Sequence, residues 1–200
     1  MSGITSFPDL GHGGRGNPPA IEEGYPFPSF VNASGPLDKP KVVQEYFEHL
    51  YEERKENVKG KRVSWVGGNV FPNTSFHAMF PRTFAVWHPG GSADRCEGWR
   101  WLFVDADAPK EVVDLARHHF IRYSGPAGLT EQDDMENWNY AHASSRGTIA
   151  RRHPYNYTQG LGHTAPVADL AGAMVSDYTV SEENARTLYR KWAQMMNRER

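Results

Sequence analysis

Cysteine is nearly absent. The single Cys96 in 200 residues excludes a disulfide within the chain and any cysteine-rich metal cluster. It fits a reducing compartment, so a cytoplasmic location is expected. Long apolar runs are missing too. No stretch of 18 apolar residues occurs, so no membrane-spanning helix is expected. No basic segment followed by an apolar run opens the chain, so no secretion signal is expected. Charge of one sign is lacking: 22 Lys and Arg stand against 24 Asp and Glu, for a net charge of -2. That balance gives no electrostatic case for binding nucleic acid or an anionic membrane. No Gly-x-Ser-x-Gly is present, which removes the usual signature of a serine hydrolase.

What is present is enough for one domain with a substantial core. Six Trp, nine Tyr and ten Phe supply rings for a core or a cavity wall. A mean hydropathy of -0.67 marks polar, loop-rich parts. Residues 1–38 are rich in Gly and Pro, and the stretch from Gly11 to Pro19 is expected to be irregular. Tyr25 to Val31 is a candidate edge strand, because Pro26 and Pro28 cannot donate to a ladder. Val42, Val43, Tyr46, Phe47, Leu50 and Tyr51 recur at helical spacing and predict a helix from Lys39 to Lys59. Four strands are expected over 62–71, 75–80, 82–88 and 97–105. In the last, Trp99, Trp101 and Phe103 alternate with Arg100, Leu102 and Val104, which predicts a central strand with one face on a cavity. A second helix is expected from Pro109 to Tyr123, a third from Glu131 to Ser145, and a fourth from a Ser181 cap to Met196. Consecutive strands with flanking helices define the α+β class.

The most informative stretch is Glu131-Gln132-Asp133-Asp134-Met135-Glu136-Asn137-Trp138, which follows the breaker Gly125-Pro126-Ala127-Gly128. Thr130-x-x-Asp133 matches a capping box, in which Thr130 accepts from the Asp133 N–H and Asp133 reaches back. Glu131 adds favourable charge at the positive helix end. Asp134 has no such explanation. It shares a face with Trp138 and Ala141 at spacings of four and seven. A carboxylate on that face needs a cation. Either Arg122, Arg146 or Arg151 supplies it, or a metal does.

The same octet with its glycine breaker resembles the segment that carries the carboxylate iron ligand in large subunits of Rieske non-haem iron aromatic-ring-hydroxylating dioxygenases. Asn69-Val70-Phe71-Pro72-Asn73-x-Ser75-Phe76 resembles the family's central strand and turn. Val86-Trp87-His88-Pro89 resembles a family hairpin, and Ser181-Glu182-Glu183-Asn184-Ala185-Arg186-x-Leu188-Tyr189 its C-terminal helix. The resemblance covers roughly residues 60–200. It implies a helix-grip fold: an antiparallel sheet wrapped by helices around an apolar cavity, incomplete here on its N-terminal side. It implies a mononuclear Fe(II) held by two His and one carboxylate, with Asp134 as that carboxylate. The implied substrate is an aromatic hydrocarbon, polycyclic in type as naphthalene or phenanthrene are, which O2 converts to a cis-dihydrodiol. Electrons would come from a ferredoxin through a 2Fe–2S Rieske cluster, and a small (beta) subunit is an implied partner. By motif position Ser124, Leu129 and Thr130 flank the substrate pocket, and Phe76, Phe80 and Phe84 are further candidates on the sheet. Each Phe fits ordinary core packing equally well.

Two things that the family has are missing. Its two iron-ligating histidines lie a few residues apart in an Asp-x-x-His setting, and no such element occurs here. His118 and His119 are adjacent and leave a helix about 100° apart, which predicts one packed and one solvated. His142 lies about two turns beyond Asp134. His12, His49, His77, His88, His153 and His163 show no pairing pattern. One cysteine cannot hold the Rieske cluster. The expectation is the C-terminal portion of such a catalytic domain, with Met1 an internal methionine of a longer subunit. The competing reading is a non-catalytic module of the same fold that binds apolar ligands or serves assembly.

Overall fold

The computed structural model describes residues 3–16, 40–58, 65–78, 80–167, 171–176, 178 and 180–197. The candidate strand Tyr25 to Val31 lies outside them. The fold is α+β, with one antiparallel sheet of eight strands among the described residues. The strands are β1 (Gly3–Phe7), β2 (His12–Gly16), β3 (Trp65–Val70), β4 (Thr74–His77), β5 (Arg82–Pro89), β6 (Cys96–Phe103), β7 (Thr164–Pro166) and β8 (Met174–Ser176). Their order is β6-β5-β4-β3-β2-β1-β8-β7. Four helices accompany it: α1 (Lys41–Val58), α2 (Lys110–Ser124), α3 (Glu131–Ser145) and α4 (Glu183–Met196). None of them is long and apolar enough to cross a membrane among the described residues.

Over residues 3–16 the glycine-rich start is not irregular. β1 and β2 form a hairpin inside the sheet, paired outward to β8 and β3. Composition misleads here because the glycines serve close packing rather than a loop. A Cβ on Gly13 would collide with the Asn184 side chain of α4. With its amide turned to suit its partners, Asn184 donates to the Thr5 carbonyl (3.1 Å) and accepts from the Gly14 N–H (3.3 Å). The helix thus rests directly on bare backbone.

α4 turns a polar side inward. Glu183, Arg186 and Thr187 are buried, while Tyr189, Trp192 and Met196 are half or more exposed. Arg186 explains the inversion. Its Nε and Nη2 donate to Glu183 Oε2 at 3.0 and 2.8 Å, and its Nη1 donates to the carbonyls of Tyr157 (2.7 Å) and Gln159 (2.9 Å). A fork of five donors suits this task, because it can hold a helix acid and a passing loop together. The N-cap is Glu182, without a side-chain cap bond, rather than the Ser181 expected from sequence; Ser181 stands one residue earlier and its Oγ accepts from the Glu183 N–H at 3.2 Å.

The main apolar cluster joins α1 to α2. Val43 and Phe47 pack on Val112, with Tyr46, Leu50, Ala108 and Leu115 around them. Phe80 belongs to this cluster, its ring edge-on to Phe47 at 5.0 Å. His119 packs between Phe80 and Tyr123 while His118 is exposed, the split expected for adjacent helical residues. Tyr46 donates its hydroxyl to the Asp105 carboxylate, which Arg82 also meets at 2.9 Å. The Tyr46 bond, then Arg82, hold the Asp105 pKa below the usual carboxylate value. A depressed folded pKa contributes stability above about pH 4, and that stability is lost as pH falls through the folded value. Tyr46→Phe is therefore expected to cost about 1 kcal/mol near neutral pH and less at about pH 2. Urea unfolding at the two pH values measures the difference.

β6 is an edge strand, not the central one expected. It pairs only with β5 among the described strands. Register fixes what each face carries. Phe84 opposes Trp101 and Val86 opposes Trp99, so the aromatic residues share one face with Phe103. That face is open: Trp99, Trp101, Phe103 and Phe84 are 53%, 43%, 51% and 43% exposed. The opposite face carries Ser75, His77, Thr83, Ala85, Trp87 and Arg100.

Candidate active site

The mixed face of β4–β6 forms the floor of a cleft of about 1110 Å³. α3 forms its roof. Glu131, Asp134, Met135, Trp138 and His142 line it from that helix. Spacings of three, four, seven and eleven put these residues on one helical face.

No residue of α3 is buried. The helix is held on the sheet by side chains at two points rather than by a packed apolar stripe. Arg100 and Glu131 meet as a two-pronged ion pair, with Nη2 to Oε2 at 3.0 Å and the two side chains 21% and 13% exposed. One helical turn beyond Asp134, Trp138 stands edge-on to Trp87 at 5.4 Å. Asp134 lies between the two anchors. Glu131 thus stands in the first turn, as expected for an acid at the positive helix end, and is also turned to a protein cation.

The capping box does not form. Thr130 does occupy the N-cap, but its backbone is helical (φ -114°, ψ -46°) and its side chain makes no cap bond. A capping hydroxyl needs an extended backbone to reach the next turn. Asp133 is exposed. The Asp134 N–H goes to the Thr130 carbonyl at 3.3 Å, and Gln132 reaches back to the Pro126 carbonyl.

The Asp134 side chain faces the cleft and has no ion-pair partner among the described residues. Arg146, one candidate partner, lies against Asp94 at 3.9 Å. Ser124, Leu129 and Thr130 do not line the cleft, and Leu129 is 79% exposed. Phe76 borders the cleft, although its register with Phe84 turns its ring toward the other face. Phe84 stands on that other face, and Phe80 lies in the α1–α2 cluster. A shift of one residue along a strand exchanges the two faces. The sheet candidates drawn from the sequence, Phe76, Phe80 and Phe84, leave out His77, Trp87 and Arg100, which line the cleft. The signal for Arg100 is its position between Trp99 and Trp101, where a charged residue inside an apolar strand needs a partner.

His77 sits at the end of β4, its ring against Gly67, where an added Cβ would stand 3.3 Å from the imidazole. Burial, then the Arg100 guanidinium, lower its pKa, against the pull of Glu131. His77 is therefore neutral at pH 7.

Among the described residues no three His, Cys, Asp or Glu side chains converge closely enough to hold a metal ion. All nine histidines are described. The donor set around Asp134 is one carboxylate, and it does not make a mononuclear iron site alone.

The chain is thus an α+β domain with a helix-roofed cleft and, on the roof, an acid without an ion-pair partner among the described residues. The chain belongs to the family of ring-hydroxylating alpha subunits (catalytic domain), whose model matches residues 23–198. It is 40% identical over 163 residues to the biphenyl 2,3-dioxygenase subunit alpha of Rhodococcus jostii, covering 78% of this chain and 35% of that one. It is 35% identical over 165 residues to the biphenyl dioxygenase subunit alpha of Paraburkholderia xenovorans, covering 79% and 35%. The chain thus spans about a third of the length of these curated relatives. The crystal structure of naphthalene 1,2-dioxygenase from Rhodococcus sp. bound to indole superposes with a TM-score of 0.69 at 29% identity, covering 97% of this chain and 44% of that one. The naphthalene 1,2-dioxygenase large component of Pseudomonas aeruginosa is 28% identical over 123 residues, or 62% of this chain and 27% of that one. The sequence likeness to these biphenyl enzymes therefore exceeds that to this naphthalene enzyme.

Proposed function

We propose that this chain forms the carboxylate-bearing side of the substrate cavity in an aromatic-ring-hydroxylating dioxygenase. The observation that carries the reading is Asp134: an acid on the cleft wall without a cation partner, in a chain whose family is that of ring-hydroxylating alpha subunits. The assembled enzyme would add both atoms of O2 to an aromatic hydrocarbon of one or two rings and release a cis-dihydrodiol. Relatives named for biphenyl, benzene and naphthalene support that substrate class. When bound, the iron would supply activation of dioxygen, with two histidines completing its protein ligands. Those histidines have to come from a segment other than the described residues. A 2Fe–2S cluster, a ferredoxin and a small subunit belong to the same proposal.

The chain's own part is physical. Trp87, Trp138 and Met135 offer apolar walls to a flat ring. Arg100 and Glu131 fix the height of α3 above the sheet, and with it the position of Asp134. The incomplete ligand set favours one second reading, a non-catalytic module that binds aromatic molecules in the same cleft. Iron analysis separates the two. Equilibrated without oxygen with ferrous salt, the chain alone is expected to hold far less than one iron. A chimera in which this chain replaces the matching third of the Rhodococcus jostii alpha subunit is expected to hold one mononuclear iron. A chimera that folds and keeps its Rieske cluster but lacks that iron supports the module.

A further inference from the structure

We infer that the cleft takes an aromatic ring bearing a hydroxyl group, and that His77 is the residue that recognises the hydroxyl. This rests on the cleft being an aromatic site, as proposed above, and adds what distinguishes one aromatic ligand from another.

The polar groups of the cleft floor are mostly occupied by one another. Ser75 Oγ accepts from Trp87 Nε1 at 3.0 Å. Arg100 and Glu131 bind each other at two points. Thr83 is buried, with 7% of its surface exposed. His77 differs. It lines the cleft, and its ring has no hydrogen-bond partner among the described residues. Glycine at position 67, its register partner, leaves the space over which the ring lies.

Position and chemistry agree. His77 lies opposite Thr83, two residues along β5 from Ala85, the register partner of Arg100, so it stands on the floor near the point where α3 is clasped to the sheet. Asp134 is one turn along α3 from that clasp. A ligand resting on the cleft floor over Ser75 and Ala85, with Trp87 to one side and Asp134 on the roof, would turn a substituent toward His77 on the other side. A neutral imidazole presents one N–H donor and one bare nitrogen. A hydroxyl matches either, as acceptor or as donor. A plain hydrocarbon matches neither and takes water from a polar group without replacing it.

The sign of the preference is diagnostic. A cavity with no group for the hydroxyl favours the more apolar ligand, because a hydroxyl must be stripped of water to enter. The test is equilibrium dialysis of the purified 200-residue chain against naphthalene and against 2-naphthol, with circular dichroism confirming the fold of each variant. The unaltered chain is expected to bind 2-naphthol about threefold to tenfold more tightly than naphthalene, the effect of one hydrogen bond. His77→Leu should reverse that order and leave naphthalene bound as tightly or more so. His77→Gln, which keeps a donor and an acceptor, should retain part of the preference and serves if the leucine variant does not fold. Equal affinities, a preference for naphthalene in the unaltered chain, or a 2-naphthol preference that survives His77→Leu overturns the inference while the aromatic-site reading stands. If neither compound binds the chain, the inference falls, and the same two compounds on the chimera then test the aromatic-site reading by itself.

Discussion

Asp134→Ala, placed in the chimeric alpha subunit, is expected to remove the mononuclear iron and ring hydroxylation together, each by more than about 100-fold. Indirect partners of metal ligands alone change affinity or activity by about 10- to 100-fold, so loss of a direct ligand should exceed that. The fold should hardly notice. Asp134 is exposed to the cleft and makes no ion pair among the described residues, so its removal leaves no buried charge unpaired. Surface substitutions of that kind stay within about 0.5 kcal/mol. The 2Fe–2S cluster of the chimera should be retained, since it is bound elsewhere. Iron analysis, cluster absorbance and product assay on one preparation separate these outcomes. Full iron occupancy with activity lost would move Asp134 out of the ligand role. Loss of both with a collapsed fold would make it a structural residue.

Arg186→Ala is expected to cause the largest loss of stability, about 3–5 kcal/mol. The residue and its partner Glu183 are 7% and 8% exposed. Truncating the arginine leaves the Glu183 carboxylate buried without its cation and takes the donors from the Tyr157 and Gln159 carbonyls. A domain of this size loses roughly 2–4 °C of melting temperature per kcal/mol. A fall of about 6–20 °C is therefore expected. Arg186→Lys should recover only part, because one ammonium cannot serve a carboxylate and two carbonyls in fixed directions. A change below about 1 kcal/mol for the alanine variant would show that α4 is held chiefly by its backbone contact with Gly13.

The legibility of this chain follows the range of its signals. α3 was read to the residue, since Gly125 to Gly128 and the acidic run mark its start and composition within a few positions. α2 and the four strands from Trp65 to Phe103 were read to within a few residues on the same local grounds. The hairpin of β1 and β2 was not. Its glycines make sense only against Asn184, far along the chain. Which face of the sheet points inward was not legible either. Both faces of β6 are largely apolar, and the choice depends on where α3 lands. The part of Glu131 was hidden for a similar reason. Its partner Arg100 is 31 residues away, so an acid in a first turn looked sufficiently explained by helix electrostatics. Asp134 could be singled out because it shares a face with Trp138 and Ala141, where helix capping leaves an acid unexplained.

The central claim is that this chain brings one iron ligand, not a whole site. Its most direct test is iron per chain on the 200-residue polypeptide, purified and equilibrated anaerobically with ferrous salt, beside the chimera with the Rhodococcus jostii alpha subunit. The account predicts far less than one iron on the chain alone and one mononuclear iron on the chimera that Asp134→Ala removes. One tightly bound iron on the chain alone, or an iron in the chimera indifferent to Asp134, would contradict it.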